Sequence, residues 1–159
     1  MKSRLIVILN DLRSLHNVGS IFRTSDAVGV EKIYLVGTTP APLDRFGRVR
    51  EQFKKVSLGA EKSVSWESAR SLGVLVRKLK EEGWTVVAVE QSKKSRAYYS
   101  LPKNKSKKVV LIFGNEPEGL TARDLKLVDE ILEIPMMGKK ESLNVSVAAG
   151  IVLFQLRYN

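Results

Sequence analysis

The 159 residues include no cysteine, an absence that removes disulfides, thiolate zinc sites and cysteine nucleophiles together. Only one histidine is present, His16, so a metal site built from several imidazoles is excluded as well. Long apolar runs are also missing. The longest uncharged stretch, residues 142–156, falls short of the roughly 18 apolar residues that suggest a membrane span. The amino terminus reads Met-Lys-Ser-Arg and is followed by only five apolar residues, Leu5–Leu9. A signal peptide needs a longer apolar core, so the expectation is an uncleaved, soluble, cytoplasmic protein with no membrane partner. The common phosphate-binding signatures are absent too: there is no Walker A loop and no G-x-G-x-x-G after a strand. A nucleotide-binding dehydrogenase or a Rossmann-type methyltransferase would normally show the second.

The chain does have ordinary globular apolarity, 43%, and a large basic excess, 27 Lys and Arg against 17 Asp and Glu, for a net charge of +10. Such an excess points to a polyanionic partner, nucleic acid ahead of membrane. It is also segregated. No acid occurs from Gln91 to Asn115, whereas Lys93, Lys94, Arg96, Lys103, Lys105, Lys107 and Lys108 all fall there, together with Tyr98 and Tyr99. A second basic group comprises Arg45, Arg48, Arg50, Lys54 and Lys55. A single run of this kind is ordinarily solvated surface. Two runs favour phosphate contact, since each cation placed on a phosphate releases counterions. Arg45, Arg48, Arg50, Lys105, Lys107 and Lys108 are therefore the candidate nucleic-acid contacts.

Short apolar runs alternate with helical patterns. Residues 5–9, 32–36, 85–89, 109–113 and 130–134 read as strands, mostly without polar alternation. Strands of that kind are covered on both faces, as in a parallel sheet flanked by helices. Helical spacing appears over 18–28, 67–82, 122–127 and 142–157. With no repeat or linker, residues 1–159 read as one α/β domain.

Three segments are unusual. In Asn10–Asp26, Asn17 is suited to cap a helix whose apolar stripe is Val18, Ile21, Phe22 and Val28. Arg23 sits away from that stripe, and Gly19 one turn earlier would allow a backbone or ligand to approach it. In Phe113–Leu120, the Gly-Asn-Glu-Pro-Glu-Gly turn follows a buried strand, at the edge where open α/β sheets place ligands. Glu116 could there meet a cation, with Arg23 the natural candidate. The third segment is Ile134-Pro135-Met136 followed by Ser142-Leu143-Asn144-Val145-Ser146, with Ser142 placed as a helix cap. From Leu143 to Leu156 only Asn144, Ser146 and Gln155 are polar, so this helix needs burial on more than one side. Small residues at Ala148–Gly150 suggest close packing of a second copy, and a homodimer is expected.

Taken together, in order and over nearly the whole chain, these motifs resemble the SpoU/TrmH branch of the SPOUT RNA methyltransferases. The resemblance implies a mostly parallel α/β fold whose carboxyl-terminal part forms a deep trefoil knot, which general topology rules would not suggest. It implies methyl transfer from S-adenosylmethionine to a ribose 2′-hydroxyl. Arg23 matches the family's catalytic arginine, with Asn17 and Glu116 orienting it and Ser142 and Asn144 completing the pocket. Free arginine is protonated below a pKa of about 12, so binding a phosphate or offsetting alkoxide charge suits it better than acting as a base. The cofactor would be gripped by backbone around Val89, Gly114, Ile134, Met136 and Leu143, with no metal, because the sulfonium is already an activated donor. Among RNAs, tRNA is favoured over rRNA. The competing reading is a knotted RNA-binding protein without catalysis. The intact set of Asn17, Arg23, Glu116, Ser142 and Asn144 argues against it.

Overall fold

The computed structural model describes residues 3–101 and 108–159. Two of the candidate RNA contacts, Lys105 and Lys107, lie outside the described residues. Seven strands form one sheet: β1 (Arg4–Asn10), β2 (Lys32–Val36), β3 (Ser65–Ala69), β4 (Thr85–Val89), β5 (Arg96–Ala97), β6 (Lys108–Gly114) and β7 (Glu130–Glu133). Their order is β3-β2-β1-β6-β4-β7-β5, and every pairing is parallel. Parallel neighbours require crossover connections, so all the strands end at one edge of the sheet. The helices are α1 (Leu15–Val28), α2 (Glu51–Ser57), α3 (Ala60–Ser63), α4 (Leu72–Glu81), α5 (Ala122–Leu125) and α6 (Val145–Tyr158).

The unbroken apolar strands are explained by two cores, one on each face. Leu5, Val7 and Leu9 of β1 join Ile21 and Phe22 of α1 and Val152 and Leu153 of α6. The alternate residues Ile6 and Ile8 face Leu72, Leu75, Val76 and Leu79 of α4. The same alternation divides β6, with Val109, Leu111 and Phe113 on the first face and Val110 and Ile112 on the second.

Several local expectations are corrected. The segment 67–82 is not one helix. Its beginning belongs to β3, a largely exposed edge strand, and α4 starts only after Ser71, whose hydroxyl accepts from the Val74 N–H. Helix α1 starts earlier than expected, capped by Ser14 rather than Asn17. It ends at Gly29, which takes the left-handed conformation that a helix terminator requires. Gly19 does not open space beside Arg23. A side chain at that position would meet Val56 Cβ at 3.3 Å and the Phe53 carbonyl at 3.5 Å, so the glycine admits α2. Phe22 and Phe53 complete that contact edge to face, with centroids 5.2 Å apart.

The end of α6 is fastened by Arg157. Its guanidinium donates to three backbone carbonyls, those of Val28 (2.6 Å), Ser3 (2.7 Å) and Gly29 (2.7 Å). Charge-assisted bonds of this kind outweigh neutral ones. Arg157→Ala is expected to cost about 2 kcal/mol, given roughly 1.5–3 kcal/mol for hydrogen bonds to charged groups. Melting temperature should fall by roughly 4–8 °C for a chain of this size, which differential scanning calorimetry can check.

Candidate active site

A cavity of about 480 Å³ opens at the carboxyl edge, where β4, β6 and β7 end. Val89, Gly114, Ile134, Met136 and Leu143 all line it, as do Glu116, Ser142 and Asn144. Its walls are three turns held to one another by hydrogen bonds. The Glu90 carboxylate accepts from the Gln91 N–H (2.9 Å) and, across the cavity wall, from the Leu120 N–H (3.0 Å). The Gln91 amide donates to the Glu141 carbonyl (2.5 Å), tying the end of β4 to the third segment. Gly114 is required by close backbone approach, because a Cβ there would lie 2.7 Å from both the Gly119 carbonyl carbon and the Leu120 nitrogen. Glu90, Gln91 and Asn115 were not singled out in the sequence. Their importance comes from which strand ends adjoin, which no local pattern displays.

Asn115 Oδ1 is buried in this wall and accepts no hydrogen bond among the described residues. A buried acceptor without a partner is costly, and this one belongs to a residue lining the cavity. Among the described residues there is no cluster of His, Asp and Glu able to hold a metal ion.

The first and third motifs meet directly. Asn144 donates from Nδ2 to Asn17 Oδ1 at 3.1 Å, across 127 residues of sequence. Asn144, not Ser142, caps α6, its Oδ1 accepting from the Ser146 N–H (2.8 Å) and hydroxyl (2.5 Å). Ser142 remains exposed at the cavity lining.

Glu116 has a different partner from the one expected. Its Oε1 accepts from the Val145 N–H at 2.5 Å, placing a carboxylate at the positive end of the α6 dipole. Arg23 is exposed, does not line the cavity, and makes no hydrogen bond or ion pair among the described residues. Six residues beyond Asn17, it lies about 240° round α1 and roughly 9 Å along it. Within one chain, then, Glu116, Ser142 and Asn144 line the cavity, Asn17 is tied to it through Asn144, and Arg23 is not part of its lining.

Helix α6 shows why that separation matters. Ala149 is fully buried and Gly150 sits on α1, 3.8 Å from Thr24 Cγ2 measured at its Cβ position. The small residues expected to face a second copy are therefore used inside the chain. A different stripe faces outward: Val147, Phe154 and Tyr158 are exposed, with Ile151 between them. The Phe154 and Tyr158 rings stack at 6.0 Å. Thr24 adjoins Arg23 in sequence, so α6 crosses α1 one residue from Arg23.

The basic residues divide by position. Arg45, Arg48 and Arg50 lie on the segment after β2, at the cavity's edge of the sheet. Lys108 opens β6 at the opposite edge and donates to the Glu82 carbonyl (3.1 Å), so the structure does not bring it to the cavity. Among the described residues, no helix is long and apolar enough to cross a membrane.

The chain is 33% identical over 154 residues to the 23S rRNA (guanosine-2′-O-)-methyltransferase RlmB of Neisseria meningitidis, covering 96% of this chain and 58% of that protein. It is 36% identical over 151 residues to a tRNA (guanosine(18)-2′-O)-methyltransferase of Thermus thermophilus, covering 95% and 73%. Its fold superposes on an AdoMet-bound rRNA methyltransferase from Sinorhizobium meliloti with a TM-score of 0.86 at 31% identity, covering 99% of this chain and 57% of the other. The chain thus spans somewhat under two thirds of the length of the RlmB protein it matches. The model of the SpoU rRNA Methylase family matches residues 4–154, a stretch that holds both the seven-stranded sheet and the cavity at its edge; the chain belongs to that family.

Proposed function

We propose that this protein is an S-adenosylmethionine-dependent RNA methyltransferase that modifies a ribose 2′-hydroxyl. The observation that carries this reading is the convergence of the second and third motifs on one cavity, to which the first is tied by the Asn17–Asn144 hydrogen bond. The preference for tRNA over rRNA rests on the relatives: the one named for tRNA is matched over a larger share of its length, 73% against 58%.

The residues present fit the cofactor. A volume of about 480 Å³ lies within the roughly 300–1,000 Å³ of small-molecule sites. The unpartnered Asn115 oxygen offers an acceptor to a ligand amine or hydroxyl. Backbone around Val89, Gly114, Ile134, Met136 and Leu143 would hold the molecule. When bound, it supplies a methyl group already activated on a sulfonium, and no metal is needed.

The remaining chemistry falls to the chain's own side chains. The Asn17–Asn144 pair and Ser142 position the ribose, and Glu116 fixes the start of α6, which Asn144 caps. Arg23 holds the target phosphate and offsets negative charge growing on the 2′-oxygen. A homodimer through the Val147–Tyr158 stripe supplies that arginine from the partner, because α6 crosses α1 at Thr24, the residue after Arg23, while Arg23 does not line its own cavity. The same reading makes residues 1–159 one methyltransferase domain working in the cytoplasm. It also includes a trefoil knot in the carboxyl-terminal part, where Gln91 holds the Glu141 carbonyl and Glu116 the Val145 N–H.

Calorimetric titration of S-adenosylmethionine tests the pocket. Asn115→Ala is expected to leave thermal stability unchanged, since Oδ1 makes no folded-state bond, and to weaken cofactor binding about tenfold, the equivalent of roughly 1.4 kcal/mol. Unchanged affinity would remove Asn115 from the cofactor site, and no binding by the parent protein would remove the reading itself.

A further inference from the structure

The segment between β2 and α2 carries an aromatic that the fold does not use. Arg50 N–H donates to the Pro42 carbonyl (2.9 Å), Leu43 and Val49 pair antiparallel, and the Asp44 N–H donates to the Arg48 carbonyl (2.8 Å). The Asp44 carboxylate then organises the tip. Oδ1 accepts from the Phe46 N–H (2.8 Å) and the Arg48 N–H (3.0 Å), and Oδ2 accepts from Arg48 Nε (3.2 Å). The Arg48 N–H, seconded by that of Phe46, holds this carboxyl below its ordinary pKa. Gly47 completes the turn at φ 76°, where a side chain would be strained. Nothing in this framework requires the Phe46 ring, which is 65% exposed and belongs to neither core.

The ring is flanked by two guanidinium groups, Arg45 at 4.7 Å and Arg48 at 5.0 Å from its centroid. Arg45 makes no hydrogen bond or ion pair among the described residues, and the one acid of the turn is engaged by Arg48 and backbone N–H groups. An exposed aromatic ring whose only neighbours over it are solvated cations, which can turn aside to phosphates as a base stacks, is the combination that binds unpaired nucleic acid. The location agrees. The segment that holds the turn leaves β2, a strand two places from β6 and so about 10 Å from it in the sheet, at the edge where the cavity opens. We propose that the Asp44–Arg48 turn is a nucleobase-stacking contact, in which Phe46 takes an unpaired base of the RNA and Arg45 and Arg48 take its flanking phosphates. This deepens the RNA reading above and rests on it.

Fluorescence anisotropy with a 12-nucleotide single-stranded RNA and with a fully paired RNA duplex tests the contact. Phe46→Ala should weaken single-strand binding about tenfold, within the range measured for base–aromatic stacking, and leave duplex binding within about twofold. The slope of log affinity against log salt should not change, because no charge is removed. Phe46→Trp should restore the affinity, and Arg45→Gln should reduce the slope by roughly 0.7, the value for one phosphate on a single strand. Single-strand affinity within about twofold of the parent for Phe46→Ala overturns the proposal. Equal losses on both RNAs also overturn it, as does unchanged RNA affinity with altered sedimentation, which would make the turn a protein contact. Methyl transfer by the parent protein is measured in parallel. If the parent methylates RNA while Phe46→Ala binds normally, the stacking contact fails alone; if the parent neither binds nor methylates RNA, both readings fail.

Discussion

Arg23→Ala is expected to reduce methyl transfer by about 10²–10³-fold, the loss typical of removing a group that stabilises developing oxyanion charge. Stability should stay within roughly 0.5 kcal/mol of the parent, the usual range for a surface substitution. The side chain is exposed and makes no hydrogen bond or ion pair among the described residues, so its removal breaks no folded-state interaction. Cofactor affinity should be unchanged, because Arg23 does not line the cavity. Single-turnover methylation and calorimetry separate these quantities. Activity within tenfold of the parent would remove Arg23 from the chemistry.

The second large effect concerns assembly. Val147→Glu with Phe154→Glu should give a folded monomer with no measurable methylation. Both residues lie on the outward stripe of α6, and neither belongs to a core. Carboxylates there would be desolvated in an interface and well hydrated on a monomer, so the substitutions oppose association without opposing folding. Sedimentation should report the monomer, and circular dichroism should report an unchanged fold. A mixing experiment adds the stereochemical point. Arg23→Ala and Asn144→Ala chains are each inactive, but half of the randomly reassorted dimers hold one complete site if Arg23 serves the partner's cavity. About a quarter of parent activity should then return, as two-fold symmetry requires. No recovery after confirmed reassortment would show that Arg23 does not serve the partner's cavity.

Much of this architecture is legible in the sequence because burial on both faces leaves strands without polar alternation. The strands over 5–9, 32–36, 85–89, 109–113 and 130–134 stand where the apolar runs place them, each within a residue or two at its ends. Strand β3 escapes because it is an exposed edge, Ser-Trp-Glu-Ser-Ala, whose pairing with β2 is invisible to periodicity. Helices α2 and α3 escape because they are short, with Phe53 and Ala60 the main anchors in the core. The site is harder to read. Gly114 can be suspected from turn chemistry, but capping pointed to Ser142 and only the family resemblance to Asn144, and the Asn17–Asn144 bond spans a separation that no local rule predicts. An acid and a cation near one sheet edge suggested an Arg23–Glu116 pair, whereas the nearer demand came from the open N-terminus of α6. Likewise, small residues at 148–150 indicate close packing correctly but do not say against what. Ala148 lines the cavity, Ala149 is buried in the core and Gly150 packs on α1, while the larger residues 147, 154 and 158 are left outside.

The central claim is the transfer of a methyl group to a ribose oxygen. Its most direct measurement incubates the purified protein with radiolabelled S-adenosylmethionine and separate tRNA and rRNA pools lacking 2′-O-methylation, then digests the RNA to nucleosides. Label in a 2′-O-methylnucleoside, resistant to alkaline cleavage at its 3′ side and recovered from tRNA in preference to rRNA, is the predicted result. Label on a base, or none on any RNA from a protein that binds the cofactor and sediments as a dimer, would contradict it.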